Sequence, residues 1–379
     1  MDGPREPPRT SHADGKRRDR PGAFGLRRRA PQTAHAGVAP VLGLIVLALV
    51  APAAIGPGPA PAPSPTEFAV RPYAAESPWN TAIAEGAEID PRSRELVATI
   101  AAGPSDDVIT SDPTQFAFPV YMAHADTPRS DVACTQYKCT IAGSPSPRRV
   151  GLLQGVPIPK GARPSAGSDS SMIVVDPATG TEYDLWQAKQ DEDGSWTVSN
   201  GSVYNVGWDG APVGYGSRGA GVPYLAGLVR HWEIAQDKLE HAIAFAYPNA
   251  SAAGCVWPAS KTDGKSKLPN ALPEGARLQL DPSLTDADLQ AMGLDRTGRI
   301  IARAMQRYGM ILIDVSGRAK IVAEDLTANK LASVSWSDPG TVLTAKTISA
   351  IPIDAFRVMK LPDGWSDGSA AQRHGRCAQ

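Results

Sequence analysis

Apolar positions are distributed along this chain in three ways, and each predicts a different kind of element. An unbroken run from Val38 to Gly56, VAPVLGLIVLALVAPAAIG, has about the length needed to cross a bilayer and also matches the core of a long signal peptide. Behind it, residues 57–66 alternate proline with small residues, which predicts an extended, polyproline-like stalk. From about Phe116 to Phe245 the apolar residues come in short runs broken by Gly, Pro, Asp and Ser, as in FAFPVYM, SMIVVD, TEYDLWQA and SWTVS. That is the pattern of strands and turns. Two segments carry helical spacing instead. In DPRSRELVATIAAG, Asp90 is the expected N-cap, Pro91 the first helical position and Gly103 the stop, with Leu96, Val97 and Ile100 on the apolar face. Residues 295–308 place Ile300, Ile301, Ala304, Met305 and Tyr308 on one stripe before Gly309, and the strand MILIDV follows at once.

Two or three short helices among many short strands predict a mainly β body, a β-sandwich or jelly-roll-like domain, rather than the regular alternation of a parallel sheet. The expected organisation is a basic leader over 1–37, a signal peptide or transmembrane anchor over 38–56 and a Pro/Ala-rich linker over 57–66. The β-rich domain then occupies 67–367, and a tail 368–379.

Charge sharpens the compartment. Residues 1–29 hold nine Lys or Arg against four Asp or Glu, including Lys16, Arg17, Arg18, Arg20 and the run Arg27, Arg28, Arg29. That excess keeps the N-terminus inside while the apolar run enters the membrane, so the body is expected outside the cell, secreted or anchored on the outer face through 38–56. Ala51, Pro52 and Ala53 offer a signal peptidase small residues, and release and anchoring both stand. The chain as a whole has a formal charge of -1, so the body is mildly acidic. Its Lys and Arg do not cluster, which excludes nucleic acid as a partner.

In an oxidising compartment the four cysteines read as disulfides. Cys134 and Cys139 flank the short TQYK segment and are expected to bridge locally, leaving Cys255 and Cys377 to tie the tail to the body. Four cysteines allow three pairings. His231, Glu233, Glu240 and His241 suggest a metal cluster, but their spacing fits neither HExxH nor a finger. The segment Gly214 to Gly219 formally matches a dinucleotide fingerprint, yet no apolar strand leads into it, and it reads as a loop. Neither a metal nor a cofactor is therefore expected.

The hairpin SDSSMIVVD, PATG, TEYDLWQA carries the clearest candidate chemistry. Pairing Asp176 with Thr181 fixes the register, and period-2 alternation then assigns the faces. Met172, Val174, Tyr183 and Leu185 share one face; Ser171, Ile173, Val175, Glu182, Asp184 and Trp186 share the other, which Asp169 joins if the strand extends. Carboxylates beside an indole suit a glycan cleft, with acids for the anomeric carbon and an aromatic plate for the sugar. Residues i and i+2 lie about 6.5 to 7 Å apart on a strand, between the retaining and inverting separations, so stereochemistry stays open. The competing reading makes Glu182 and Asp184 the solvated face of a half-buried hairpin. His241, expected to open the strand HAIAFAY beside Glu240, is either an acid, base or orienting group, or a structural histidine. Asp263, in the turn TDG, either lines a cleft or only makes the turn.

The blocks SDSSMIVVDPATGTEYDLWQA, RGAGVPYLAGLVRHWEI, HAIAFAYP, WPASKTDG, LPEGARLQLDP and MQRYGMILID, ending in VAED, resemble in content and order a family of exported bacterial proteins common in actinobacteria. The resemblance covers about 150 residues. It implies an extracellular, β-rich domain suspected of acting on polysaccharide. Asp169, Met172, Asp184 and Trp186 match the family pattern, but Ser171 stands where histidine is usual. His241, Asp263 and Asp314 fall on matching blocks.

Two functions are expected from these observations. The first is a glycan-cleaving enzyme with Asp184 as nucleophile or base, Asp169 or Glu182 as acid, Trp186 as sugar platform, and His241, Asp263 and Asp314 as further site residues. A lyase using His241 or a tyrosine as base is its variant. The second is a non-catalytic wall or glycan binder using the same face. Both make a polysaccharide or cell-wall glycan the partner.

Overall fold

The computed structural model describes residues 71–101, 108–143, 147–211, 216–365 and Cys377. The leader, the apolar run 38–56 and the linker lie outside the described residues, as does Gly103. Among the described residues no helix is long and apolar enough to cross a membrane.

The body is mainly β, as the run lengths predict. Its strands in chain order are β1 Val120–Met122, β2 Arg129–Cys134, β3 Cys139–Ile141, β4 Arg148–Val150, β5 Leu152–Pro157, β6 Met172–Asp176, β7 Thr181–Trp186, β8 Lys189–Gln190, β9 Trp196–Val198, β10 Asn200–Asn205, β11 Ile243–Tyr247, β12 Arg277–Leu280, β13 Met310–Val315, β14 Lys320–Ile321 and β15 Phe356–Val358. They form three mixed sheets: β1-β6-β7-β10-β3-β4, β14-β11-β13-β12-β15 and β5-β2-β9-β8. Parallel pairs such as β1 with β6 and β11 with β13 sit beside antiparallel ones.

The helices are α1 Ser93–Ala101, α2 His231–Ala235, α3 Asp286–Ala291 and α4 Arg296–Arg307. α1 and α4 follow the predicted stripes. Leu96, Val97 and Ile100 are buried, and Asp90 Oδ1 accepts the Arg92 backbone N–H at 2.9 Å. Asp295 caps α4 by accepting from Gly298 N at 2.8 Å, and Gly309 ends it with φ +78°, a conformation glycine adopts without strain. α2 and α3 were not anticipated. α3 has a full capping box of Thr285 with Asp288, whereas at α2 only Glu233 reaches back, accepting from Arg230 N at 2.9 Å, and neither helix is long enough to show an amphipathic period.

Alternation along the strands builds the layers. The predicted hairpin register is present: Asp176 pairs with Thr181 and Met172 with Leu185. Met172, Val174 and Leu185 bury against Val132, Leu153, Val156 and Trp196 of the four-stranded sheet. Ile173 and Val175 face the opposite way, into a core shared with Ala244, Ile311 and Ile313 of the five-stranded sheet. The far side of that sheet, with Phe245, Met310 and Leu312, packs against Ile300, Ile301 and Met305 of α4 and Ile100 of α1. Truncating Met305 to Ala there would remove about 2 to 5 kcal/mol, the usual cost of a buried cavity.

Two disulfides staple these layers. Cys134 bonds Cys139, joining the end of β2 to the start of β3 and so linking two sheets, and Cys255 bonds Cys377 across a separation of 122 residues. Such bridges belong to an oxidising compartment.

Candidate functional site

A cavity of about 1150 Å³ opens between the six-stranded and five-stranded sheets, and Asp169, Asp184, Trp186, Asp263 and Asp314 all line it. The chain brings them there from four separate segments. β7 supplies Asp184 and Trp186, and the turn before β6 supplies Asp169, whose Oδ1 accepts from Trp186 Nε1 at 3.4 Å. The segment between β11 and β12 supplies Asp263. Asp314 arrives through a bulge: Phe245 pairs with Leu312 and Ala246 with Asp314, leaving Ile313 as the extra residue. Strict alternation would have put Asp314 on the helix side with Met310 and Leu312; the bulge lets it line the cavity.

Glu182 and Asp184 do share a face, but it is not a solvated one. Glu182 is 0% exposed and Asp184 1%. The reading of these residues as a solvent-facing hairpin surface is thereby overturned, because Tyr73 and the segment of Tyr224 and Leu225 cover them. Glu182 Oε1 accepts from Leu225 N at 2.9 Å and Oε2 from the Tyr73 hydroxyl at 2.7 Å. Glu182 stands behind the wall, not among the residues lining the cavity. Asp184 Oδ2 accepts from Tyr224 N at 2.8 Å, while its Oδ1 is buried without a partner. Burial, then the neighbouring Glu182 carboxylate, holds the Asp184 carboxyl well above the ordinary range. Glu182 is also raised, by burial, though its hydrogen bonds oppose the shift.

His241 lies elsewhere. Its Nε2 sits 3.0 Å from Glu233 Oε1, so its partner is Glu233 on α2 and not the adjacent Glu240. Burial, the largest single effect, lowers its affinity for a proton, but the Glu233 charge, the hydrogen bond to Glu233 and that to the Ala242 carbonyl together outweigh it, and the net shift is upward. It is not among the residues lining the cavity.

The structure adds charged groups the sequence did not single out. Comparisons with protein families, with curated proteins and with solved structures found no match. Function must be read from the site itself. Arg218 is buried in the cavity wall, its guanidinium 5.2 Å from the Phe118 ring and 5.9 Å from that of Tyr224, with Nη2 donating to the Tyr224 carbonyl. Lys261 Nζ donates to the Arg218 carbonyl at 2.5 Å. Lys320, pushed down to about 8 by burial, donates to the Gln115 carbonyl and lies 4.9 Å from the Phe116 ring. Glu274 is fully buried beside Asp263 and Asp314. Burial and the two neighbouring carboxylates raise Glu274 to about 9, and burial with Asp263 raises Asp314 to about 7. In sequence, Glu274 is disguised by a Pro-Glu-Gly turn, and Arg218 by a glycine-rich loop. The only hint was a charged residue inside a block otherwise destined for the interior.

The loop fits the site closely. Gly219 approaches the acids so nearly that a Cβ there would lie 2.3 Å from Asp263 Oδ1 and 2.6 Å from Glu274 Oε1. Only glycine leaves those oxygens in place.

Proposed function

We propose that this protein is an extracellular glycan-active enzyme, with Asp184 as proton donor, Asp169 as the partner carboxylate and Trp186 as a platform for a sugar ring. The observation that carries the proposal is the convergence of these three residues on one large cavity. Its volume of about 1150 Å³ exceeds the span usual for drug-sized ligands, about 300 to 1000 Å³, and suits a short oligosaccharide.

The environment favours a different division of labour from the sequence expectation. A carboxyl held well above the ordinary range keeps its proton to higher pH than a free carboxylate, which suits a general acid rather than the nucleophile or base first expected of Asp184. Glu182, enclosed and fully engaged with Tyr73 and Leu225, positions Asp184 instead of meeting substrate. His241 faces Glu233 away from the cavity, which leaves a lyase only its alternative base, a tyrosine such as Tyr137 on the lining. The shared core between the five-stranded and six-stranded sheets supports a sandwich-like reading of the body, with the cavity at one edge of the interface. Its oxidising compartment supports a position outside the cell, secreted or held by residues 38–56.

A binding-only role is favoured by one observation: Phe116 and Tyr137, both on the cavity lining, are 50% and 52% exposed and could hold sugar rings without chemistry. Incubation with cell-wall and plant polysaccharides separates the two. New reducing ends lost in Asp184→Asn support the enzyme; retention of polysaccharide without product supports the binder.

A further inference from the structure

We infer that Asp263, Glu274 and Asp314 form a binding site for a divalent cation of the hard, oxygen-preferring class, with calcium the expected occupant. The inference goes beyond the glycan reading and does not depend on it. One oxygen from each of the three carboxylates lies within 4.8 Å of the others. Two oxygens bound to one calcium ion at about 2.3 to 2.6 Å can be up to about 5.2 Å apart, so this spacing admits calcium, whereas magnesium dehydrates reluctantly and is seldom held by an all-protein cage. An all-carboxylate donor set selects hard cations over zinc or copper.

A second observation points into the cluster. Glu274 is 0% exposed, and its Oε1 has no hydrogen-bond partner, although it lies against Gly219 beside Asp263 Oδ1. Its other oxygen accepts a long bond, 3.3 Å, from Asp263 N, and the Thr262 side chain also hydrogen-bonds to this carboxylate. An enclosed carboxylate oxygen without a donor is costly, and here it is directed toward two further acids. The nearby cations offset part of the charge but do not bond to that oxygen: Lys261 Nζ donates to the Arg218 carbonyl and Arg218 Nη2 to the Tyr224 carbonyl. A divalent ion would engage the orphaned oxygen and cancel the repulsion among the three acids in one step. The ligands come from a turn, the residue before the Gly275 turn and the β13 bulge, so the ion would also tie β13 to the segment between β11 and β12. Gly219 keeps the space open, since a side chain there would occupy it.

The competing explanation is a proton shared between Glu274 and Asp263. Substitution of Glu274 by Gln separates the two, because Gln keeps the shape of a protonated carboxyl but lacks the charge a metal requires. The full chain, stripped with a chelator, is titrated with calcium chloride and, separately, magnesium chloride, following heat of binding and Tm. The expected result is one calcium ion bound per chain, magnesium bound more weakly, and a Tm that rises with calcium. Glu274→Gln should weaken calcium at least tenfold, as should Asp263→Asn, an exposed position where folding is least at risk; Glu240→Gln, exposed and outside the cluster, should leave it unchanged. Absence of both heat and Tm shift in the folded wild-type chain overturns the inference. So does calcium binding that survives in Glu274→Gln and Asp263→Asn alike. A wild-type chain that ignores both ions while Glu274→Gln keeps its Tm assigns the cluster to a shared proton.

Discussion

The Tyr73 hydroxyl donates to Glu182 Oε2 at 2.7 Å, joining residues 109 positions apart in a fully buried bond. It completes the set of donors around Glu182 and thereby fixes the strand that carries Asp184. Replacing Tyr73 by Phe leaves that oxygen unpaired in the interior, and the expected loss is about 1 to 3 kcal/mol in denaturant unfolding. A loss within a few tenths of a kcal/mol would show that Glu182 finds another donor and does not depend on this bond.

Stability should fall as pH rises from 5 to 8. Burial and the Glu182 carboxylate raise Asp184 well above its ordinary range in the folded state, so as pH climbs past that range the unfolded chain releases the proton before the folded chain does. The folded state then binds more protons, and its advantage, fully present below the ordinary carboxylate range, is lost as pH climbs through the raised one. Glu182, Glu324 and His241 shift in the same direction. Thermal melts should give a lower Tm at pH 8 than at pH 5, with a shallower fall in Asp184→Asn. A flat wild-type profile, or an identical slope in the variant, speaks against a proton held at Asp184.

On a cleaved glycan, Asp184→Asn should lower kcat by about 10² to 10⁴, the usual range for loss of a general acid. Trp186→Ala should instead raise KM about tenfold with kcat much less affected, since a platform contributes to ground state and transition state alike. The reverse pattern in steady-state kinetics would exchange the two roles.

Removing the Cys255–Cys377 bridge by a double Ser substitution should destabilise the chain by about 2 to 5 kcal/mol, because the bridge closes a loop across 122 positions. Chemical denaturation of the variant against the oxidised wild type measures it. Equal midpoints would mean that the tail adds nothing to the fold.

The hairpin shows what a single sequence carries. Asp176 opposite Thr181, the two faces and the Cys134–Cys139 bridge follow from local spacing, the Cys255–Cys377 bridge from what that pairing leaves, and all are present in the structure. The convergence of Asp169, Asp184, Trp186, Asp263 and Asp314 could not be derived that way, because the cavity is made by two sheets whose strands interleave in sequence. The resemblance of ordered blocks put Asp263 and Asp314 among the candidates; spacing alone did not. Burial of Glu182 and Asp184 was equally hidden, since the alternation that marks a solvated face also marks a face covered by another part of the chain. Glu274 and Arg218 were missed because nothing local distinguishes a buried charge from an exposed one. His241 was assigned the wrong neighbour: the strand begins at Ile243, and the ring reaches Glu233 across a helix too short to show a period.

The most direct test of the glycan reading is product formation by the purified chain on a panel of cell-wall and plant polysaccharides, following reducing ends and ultraviolet absorbance together. The expected result is new reducing ends without unsaturated product, abolished in Asp184→Asn. Ultraviolet absorbance that persists in Asp184→Asn, or no product from any polysaccharide on the panel, would contradict it.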